Sequence, residues 1–242
     1  MLAVLAAAYL ALPSPALERS RSLSMLVLAR DGSILRGFLS ADGKWRLPVS
    51  AQSVDPVYRR MLIATEDRRF AEHKGVDPLA ALRALGQLAR HRHVVSGAST
   101  LTMQAVRLLE RRPRNLSSKL VEMAEALSLE RQLPKDDILS IYLTLAPFGG
   151  NLEGVRAASL AYFGKEPSHL SPAEAALLVA LPRSPEHLRP DRHPAAAGLA
   201  RDTVLARMRE RGVISDSTGA RPVPSRSRST GWRCRFMPRI WR

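Results

Sequence analysis

Apolar positions along most of the chain recur at helical spacing. The pattern predicts helices over 56–73, 78–92, 100–111, 116–133, 136–146, 151–163, 172–181 and 195–211. Three helix starts carry a capping side chain directly before a proline, at Asp55, Asp77 and Ser171. Gly212 is a typical C-terminal stop for the last helix. The sequence pattern therefore predicts helical structure from residue 55 to residue 212.

The pattern is different before residue 55. Residues 24–39 hold two β-leaning runs around Asp31 and Gly32, a pair that is typical of hairpin turns. Residues 45–49 add a short extended segment. We therefore expect a mainly α domain over residues 21–214 with a small N-terminal β-hairpin.

Both ends of the chain differ from this domain. The first 12 residues are uncharged and apolar, fewer than the roughly 20 that a spanning helix needs. A signal-peptide core and a buried helix are alternatives, but the interpretation favoured for residues 1–20 is the remnant of a membrane anchor with a linker. Residues 221–242 hold seven Arg and no acid. For residues 215–242 we expect a disordered basic tail from a frame-shifted end, with a basic binding arm as the alternative.

Charge and cysteine content narrow the class of partner. The formal net charge is +15, of which residues 221–242 supply +7. The moderately basic remainder suits phosphate groups or a membrane surface, although basic charge also simply favours solubility. Nucleic-acid binding is disfavoured because the excess lies in the tail. Cys234 is the single cysteine, which excludes an intramolecular disulfide and a cysteine metal cluster.

The stretch "LIATEDRRFAEHKG" places two adjacent acids behind an apolar run. In the predicted helix 56–73, Glu66, Phe70 and His73 share one strip, and Asp67 is rotated away from it. A carboxylate against an apolar wall suits general acid or base chemistry. On this segment alone, however, the favoured interpretation is a solvent-exposed helix end whose charged side chains form ion pairs with one another. A metal site is less favoured because the segment has one His.

The stretch "SGASTLTMQ" supplies hydroxyl groups at a predicted helix start. Ser99 and Thr100 stand where the helix over 100–111 begins. Hydroxyls together with unpaired backbone N–H groups form a cradle for an anion. The alternative is an ordinary helix cap, for which Ser and Thr are the usual residues.

The stretch "RNLSSKLVE" combines cations with one acid. Lys119 and Glu122 are three residues apart on the predicted helix 116–133, and Arg114 precedes that helix. Arg107 lies on the helix before. Such a cluster can neutralise a diphosphate, directly or with a divalent ion, although a lone Lys–Glu pair is usually a weak surface contact.

Taken in order, these stretches resemble the glycosyltransferase family 51 domain of class A penicillin-binding proteins. The first family motif, E-D-x-x-F-x-x-H-x-G, is matched at Glu66, Asp67, Phe70, His73 and Gly75. "GASTLTMQAVR" is similar to the second motif, "SKLVE" to the third, R-K-x-x-E, and "RDTVLARM" to the fifth. "DDILSIYLTLAPFGGNLEGVRAASLAYFGK" is similar to the fourth, and the likeness covers about residues 24–214. Met103 and the "APFGG" segment look most like the C-type subgroup.

The resemblance implies a lysozyme-like α-helical fold that polymerises lipid II, an undecaprenyl-diphosphate disaccharide-pentapeptide, into β-1,4 glycan strands. Glu66 would be the general base. Glu122 would assist departure of the diphosphate through neighbouring cations or a divalent ion, Mg²⁺ or Mn²⁺. The other matched side chains are implied to bind substrate or shape its pocket, namely Asp67, Phe70, His73, Ser99, Thr100, Gln104, Arg107, Arg114 and Lys119.

The resemblance also implies where the protein acts and with what. Its partners would be lipid II, the nascent glycan strand, the membrane surface and other cell-wall synthesis proteins, with no nucleic acid. Its place would be the bacterial inner membrane, with the catalytic domain on the periplasmic side.

The chain departs from the family pattern at a few positions. Most members have Gln, Lys, Arg and Asn where this chain has Met103, Arg107, Ser118 and Thr144. Because both proposed catalytic glutamates are present, we interpret these departures as subgroup variation. The chain contains no S-x-x-K and no K-T-G sequence, so no transpeptidase activity is expected. A lysozyme-like lytic enzyme and an inactive truncated remnant stay open as alternatives.

Overall fold

The computed structural model describes residues 12–32, 34–83, 99–113 and 115–215. Its helices are α1 (Glu18–Arg21), α2 (Pro56–Glu66), α3 (Leu101–Leu109), α4 (Leu116–Gln132), α5 (Lys135–Leu145), α6 (Val155–Phe163), α7 (Pro172–Ala180) and α8 (Pro194–Glu210). Its strands are β1 (Met25–Leu28), β2 (Ile34–Phe38), β3 (Trp45–Arg46), β4 (Pro147–Gly149) and β5 (Leu152–Glu153). Residues 78–83 are also helical, and the rest of the predicted helix 78–92 lies outside the described residues. The described part is mainly α, as the sequence predicts.

The predicted N-terminal hairpin is present. β1 and β2 pair in antiparallel fashion, with Met25 opposite Phe38 and Leu26 opposite Gly37. The extended segment that follows forms β3, which pairs in parallel with β5. β5 also pairs in antiparallel fashion with β4, so the second sheet has the order β3-β5-β4.

β4 and β5 interrupt a region that the sequence pattern predicted to be helical. The predicted helix 151–163 was therefore wrong at its start, because residues 152–153 form β5 and α6 begins at Val155 rather than at residue 151. The residue before α6 is Gly154, whose φ is +87°. A backbone in this region is accessible to glycine at little cost and is not helical. The helix can begin only after it.

α7 lies at the centre of the helical body. It packs against α2, α6 and α8, and its residues 175–180 are all buried. Its start carries the predicted signal, because Ser171 and Glu174 form a reciprocal capping box around Pro172. α3 packs against α4 and α5. Among the described residues, no helix has the length and apolar character needed to cross a membrane.

Candidate active site

The first motif lies around a helix end rather than along a helix. α2 begins behind Asp55, whose side chain accepts from the backbone N–H groups of Val57 and Tyr58, and it ends at Glu66. Asp67 has φ −157° and ψ 80°, which ends the helical path. The predicted helix was therefore wrong over 67–73, and so was the single helical strip through the motif.

A tertiary contact of Asp67 replaces the helical path. Its Oδ2 accepts a hydrogen bond from the backbone N–H of Leu101 at 2.8 Å and lies 2.9 Å from Nε2 of His73. The first N–H groups of a helix have no partner within it, so Asp67 satisfies one at the start of α3. The carboxylate ties the loop of the first motif to α3.

The rest of the motif packs into the body of the domain. Phe70 is buried, and the ammonium group of Lys135 lies 4.5 Å from its ring centroid. Lys135 also donates to the backbone oxygen of His73 at 2.6 Å. At Gly75, with φ +92°, an added Cβ would lie 2.5 Å from the carbonyl oxygen of Ala126 on α4. Glycine is therefore required where this loop meets α4.

Glu66 is held by side chains from two other elements. Nε2 of Gln104, on α3, donates to its Oε2 at 3.1 Å. Nε and Nη2 of Arg183 lie 2.9 Å and 2.8 Å from its Oε1. The side chain of Glu66 is 13% exposed and that of Asp67 only 4%. Of the two adjacent acids, Glu66 is the one that a substrate can reach.

Two buried tyrosines, Tyr58 and Tyr142, lie in the core near Glu66. Burial, and next the negative charge of Glu66, raise the pKa of the Tyr58 and Tyr142 phenols. Met61 and Leu62 on α2 are fully buried beside them in the core. Glu66, the candidate base, therefore borders a buried part of the core in which the two tyrosine phenols stay neutral.

A second cluster joins cations to Glu122. Nε and Nη2 of Arg107 donate to its Oε1 at 2.6 Å and its Oε2 at 2.8 Å. Nζ of Lys119 lies 3.5 Å from the same Oε2 and donates to Oγ of Ser99 at 2.5 Å. Burial acts to raise the pKa of Glu122, but the hydrogen bonds and charges of Arg107 and Lys119 lower it overall. Glu122 is therefore an anion that fixes two cations.

α3 connects the two clusters. Gln104 and Arg107 are three residues apart on this helix, so they lie on the same side. At its start, Oγ1 of Thr100 accepts from the backbone N–H of Met103 and donates to the oxygen of Gly75. Thr100 is 2% exposed, which makes its hydroxyl a helix cap that faces the interior.

The predicted site residues therefore divide into two groups. Glu66, Ser99, Gln104, Arg107, Lys119 and Glu122 form the two clusters, while Asp67, Phe70, His73 and Thr100 are buried behind them. Arg114 lies outside the described residues. Arg183 belongs to the site but was missed, because 117 residues separate it from Glu66 and no local spacing marks it.

The donor set does not fit a resident divalent cation. Arg107 occupies both oxygens of Glu122. Within the described ranges, no group of three or more His, Cys, Asp or Glu is placed to hold a metal. Mg²⁺ and Ca²⁺ take about six or more oxygen ligands. The described residues therefore do not supply the set of oxygen ligands that a resident Mg²⁺ or Ca²⁺ would take.

Three of the four departures from the family pattern lie inside the protein, and the fourth, Arg107, is the partly exposed cation that pairs with Glu122. Met103 is a core residue of α3, and Ser118 and Thr144 are buried. Met103 is next to Gln104 in sequence but points into the core. Its replacement of Gln leaves the contacts of Glu66 in place.

Comparison with known proteins decides the family. A family model described as Transglycosylase matches residues 31–209. This chain belongs to the transglycosylase family. The family that the motifs predicted is thereby confirmed.

Two relatives of this chain are penicillin-binding proteins. Penicillin-binding protein 1C of Escherichia coli (strain K12) is 49% identical over 190 residues, 78% of this chain and 25% of that protein. Penicillin-binding protein 1A of Aquifex aeolicus (strain VF5) is 40% identical over 171 residues, 70% of this chain and 24% of that protein. The chain spans about a quarter of the length of these curated relatives. A crystal structure of Penicillin-Binding Protein 1A from Haemophilus influenzae matches 81% of this chain and 20% of that one, with TM-score 0.44 and 21% identity.

Proposed function

We propose that this transglycosylase polymerises lipid II into β-1,4 glycan strands and releases undecaprenyl diphosphate. The observation that carries the proposal is the pairing, across α3, of a reachable carboxylate with a cation cluster. Glycosyl transfer from a diphosphate needs both, because a proton is removed at one end of the reaction and negative charge develops at the other.

Glu66 acts on the acceptor sugar. Its carboxylate takes the proton of the 4-hydroxyl as that oxygen forms a bond to the anomeric carbon of the donor. The bond from the anomeric carbon to the diphosphate oxygen breaks, and its electron pair leaves with the diphosphate. Attack from the opposite side inverts the anomeric centre.

Arg107 and Lys119 act on the leaving group. Their side chains are about one-third exposed, at 34% and 29%, so both cations can contact a ligand while Glu122 holds them. Charge-assisted hydrogen bonds to phosphate oxygens stabilise the charge that develops there. Glu122 thus assists departure of the diphosphate through its neighbouring cations.

The surface beside Lys119 suits a lipid. Leu116, Leu120 and Val121 are exposed on the first turns of α4, and Leu116 and Leu120 share one side of the helix. Exposed apolar side chains next to cations fit a molecule with a hydrocarbon chain and a diphosphate. We place the domain at the periplasmic surface of the bacterial inner membrane, where other cell-wall synthesis proteins would be its neighbours.

The test is turnover of labelled lipid II by the purified chain in detergent. Wild type and Glu72→Gln, which alters an exposed acid of the same loop, are expected to form glycan strands. Glu66→Gln is expected to lose at least about 100-fold in kcat, the usual contribution of a general base. Equal strand formation by Glu66→Gln would show that the base is assigned wrongly. Release of soluble fragments from purified sacculi would instead favour a lytic enzyme.

A further inference from the structure

The C-terminal end of α2 concentrates negative charge. The last carbonyl groups of a helix lack partners within it, and the helix dipole is negative there. Glu66, the last residue of α2, adds a full negative charge. Two arginines from distant parts of the chain bind this end: Nη2 of Arg183 donates to the oxygen of Thr65 at 3.4 Å, and Nη1 of Arg211 donates to the oxygen of Ala64. Both stabilise the helix end.

The two arginines differ in what else they contact. Nε of Arg183 also donates to Oε1 of Glu66 at 2.9 Å, and its Nη2 forms an ion-pair contact with the same oxygen at 2.8 Å, whereas the contact of Arg211 is with the backbone. A carboxylate has about four acceptor sites, two on each oxygen. Arg183 covers Oε1 with one hydrogen bond and one ion-pair contact, and Gln104 fills one site of Oε2. Oε2 therefore keeps a second acceptor site for a ligand.

We propose that Arg183 is a positioning residue that fixes the Glu66 carboxylate and leaves Oε2 as the atom that receives the proton. The inference rests on the proposed glycosyl transfer. The acceptor hydroxyl donates to Oε2, beside Gln104. Arg183 ends the 3-10 turn Leu181–Arg183, which directly follows the buried helix α7. The core of the domain thereby sets the orientation of the base.

The test compares Arg183→Ala, Arg183→Lys and Arg211→Ala in the lipid II assay, with thermal unfolding of each variant. Arg183→Ala is expected to lower kcat about 10-fold to about 100-fold and to change KM by less than about threefold, because a misplaced base slows the chemical step. Arg183→Lys keeps the charge but not the two-point contact, so it should recover only part of kcat. Arg211→Ala removes a contact at the same helix end and should keep kcat within about twofold.

The outcomes separate positioning from helix stability. Equal loss of kcat in Arg183→Ala and Arg211→Ala would overturn the proposal, as would wild-type or higher kcat in Arg183→Ala. If Arg183→Ala does not fold, Arg183→Lys decides, and an unchanged kcat in that variant overturns the proposal. Failure of wild type to form strands overturns the proposed function together with this inference. An active wild type with an unaffected Arg183→Ala overturns the inference alone.

Discussion

Glu66 and Asp67 are adjacent in the sequence, and α2 ends between them. Glu66 therefore faces the side chains of Gln104 and Arg183, whereas Asp67 turns into the protein towards Leu101 and His73. One acid keeps contact with solvent, and the other becomes an internal acceptor. The pair illustrates how a helix end can give two similar residues different chemistry.

At the scale of the residue, we predict that Asp67→Asn lowers the free energy of unfolding by about 2–4 kcal/mol, because two hydrogen bonds to a buried charge are weakened. The measurement is urea unfolding followed by circular dichroism. The control is Glu72→Gln, whose exposed ion pair with Arg69 should contribute less than about 1 kcal/mol. The prediction is wrong if both variants are equally stable.

The sequence offered candidate site residues, but it did not predict their arrangement. The resemblance to the family motifs made Glu66, Lys119 and Glu122 candidate site residues, because each lies within a short motif. Helical spacing placed the first motif on one helix, since local spacing contains no information about the bond from Leu101 to Asp67. Arg183 reaches Glu66 only after the chain has folded around α7, so no pattern near it could have indicated its role.

At the scale of the element, helices were predicted well and the second sheet was not. Helix starts at Asp55 and Ser171 depend on adjacent residues, so the sequence shows them directly. β3 and β5 have only two residues each, and their pairing joins segments far apart in the chain. Such short strands have no hydrophobic period that could be recognised.

A buried ion network holds this second sheet to the hairpin region. Arg46 is 0% exposed, and its Nη2 lies 2.5 Å from Oε2 of Glu153 and 2.6 Å from Oδ2 of Asp42. Arg19 also pairs with Glu153. A buried charge of this kind is strongly destabilising when a partner is removed.

This network predicts a pH dependence of stability. Partial burial acts to raise the pKa of Asp42, but hydrogen bonds from Arg46 and Ser40 and the charge of Arg46 lower it to about 2. The ordinary pKa of Asp is about 3.9. Because the folded state has the lower pKa, Asp42 contributes stability above about pH 4, and this contribution is lost as the pH falls towards about 2.

The measurement is urea unfolding of wild type and Asp42→Asn between about pH 6 and about pH 2. At about pH 6 the free energy of unfolding should be larger for wild type than for Asp42→Asn. The difference between the two proteins should shrink towards zero at about pH 2. A difference that stays constant across this range would mean that the Asp42–Arg46 pair does not contribute to folding.

At the scale of the whole molecule, some exposed apolar residues lie beside the cation cluster of the site and others lie on a different helix. Leu116 and Leu120 flank Lys119 and are 77% and 61% exposed, while Leu199 on α8 is 72% exposed. If the surface beside Lys119 meets the membrane, the first two leucines are buried on binding.

We predict that the double variant Leu116→Ser and Leu120→Ser binds anionic phospholipid vesicles at least about tenfold more weakly, since burying one Leu side chain contributes about 1.5–3 kcal/mol. Cosedimentation of the full chain with vesicles measures the binding. Leu199→Ser is the matched control and should bind like wild type. Equal binding by the double variant and the control would place the membrane contact elsewhere.

The most direct test of the account is the stoichiometry of the reaction. Lipid II labelled in both the sugar and the lipid allows new β-1,4 bonds and released undecaprenyl diphosphate to be counted in one reaction mixture. We predict one diphosphate released for each new glycosidic bond, with both products lost together in Glu66→Gln. Release of diphosphate without new glycosidic bonds, or equal bond formation by Glu66→Gln, would contradict glycosyl transfer with Glu66 as its base.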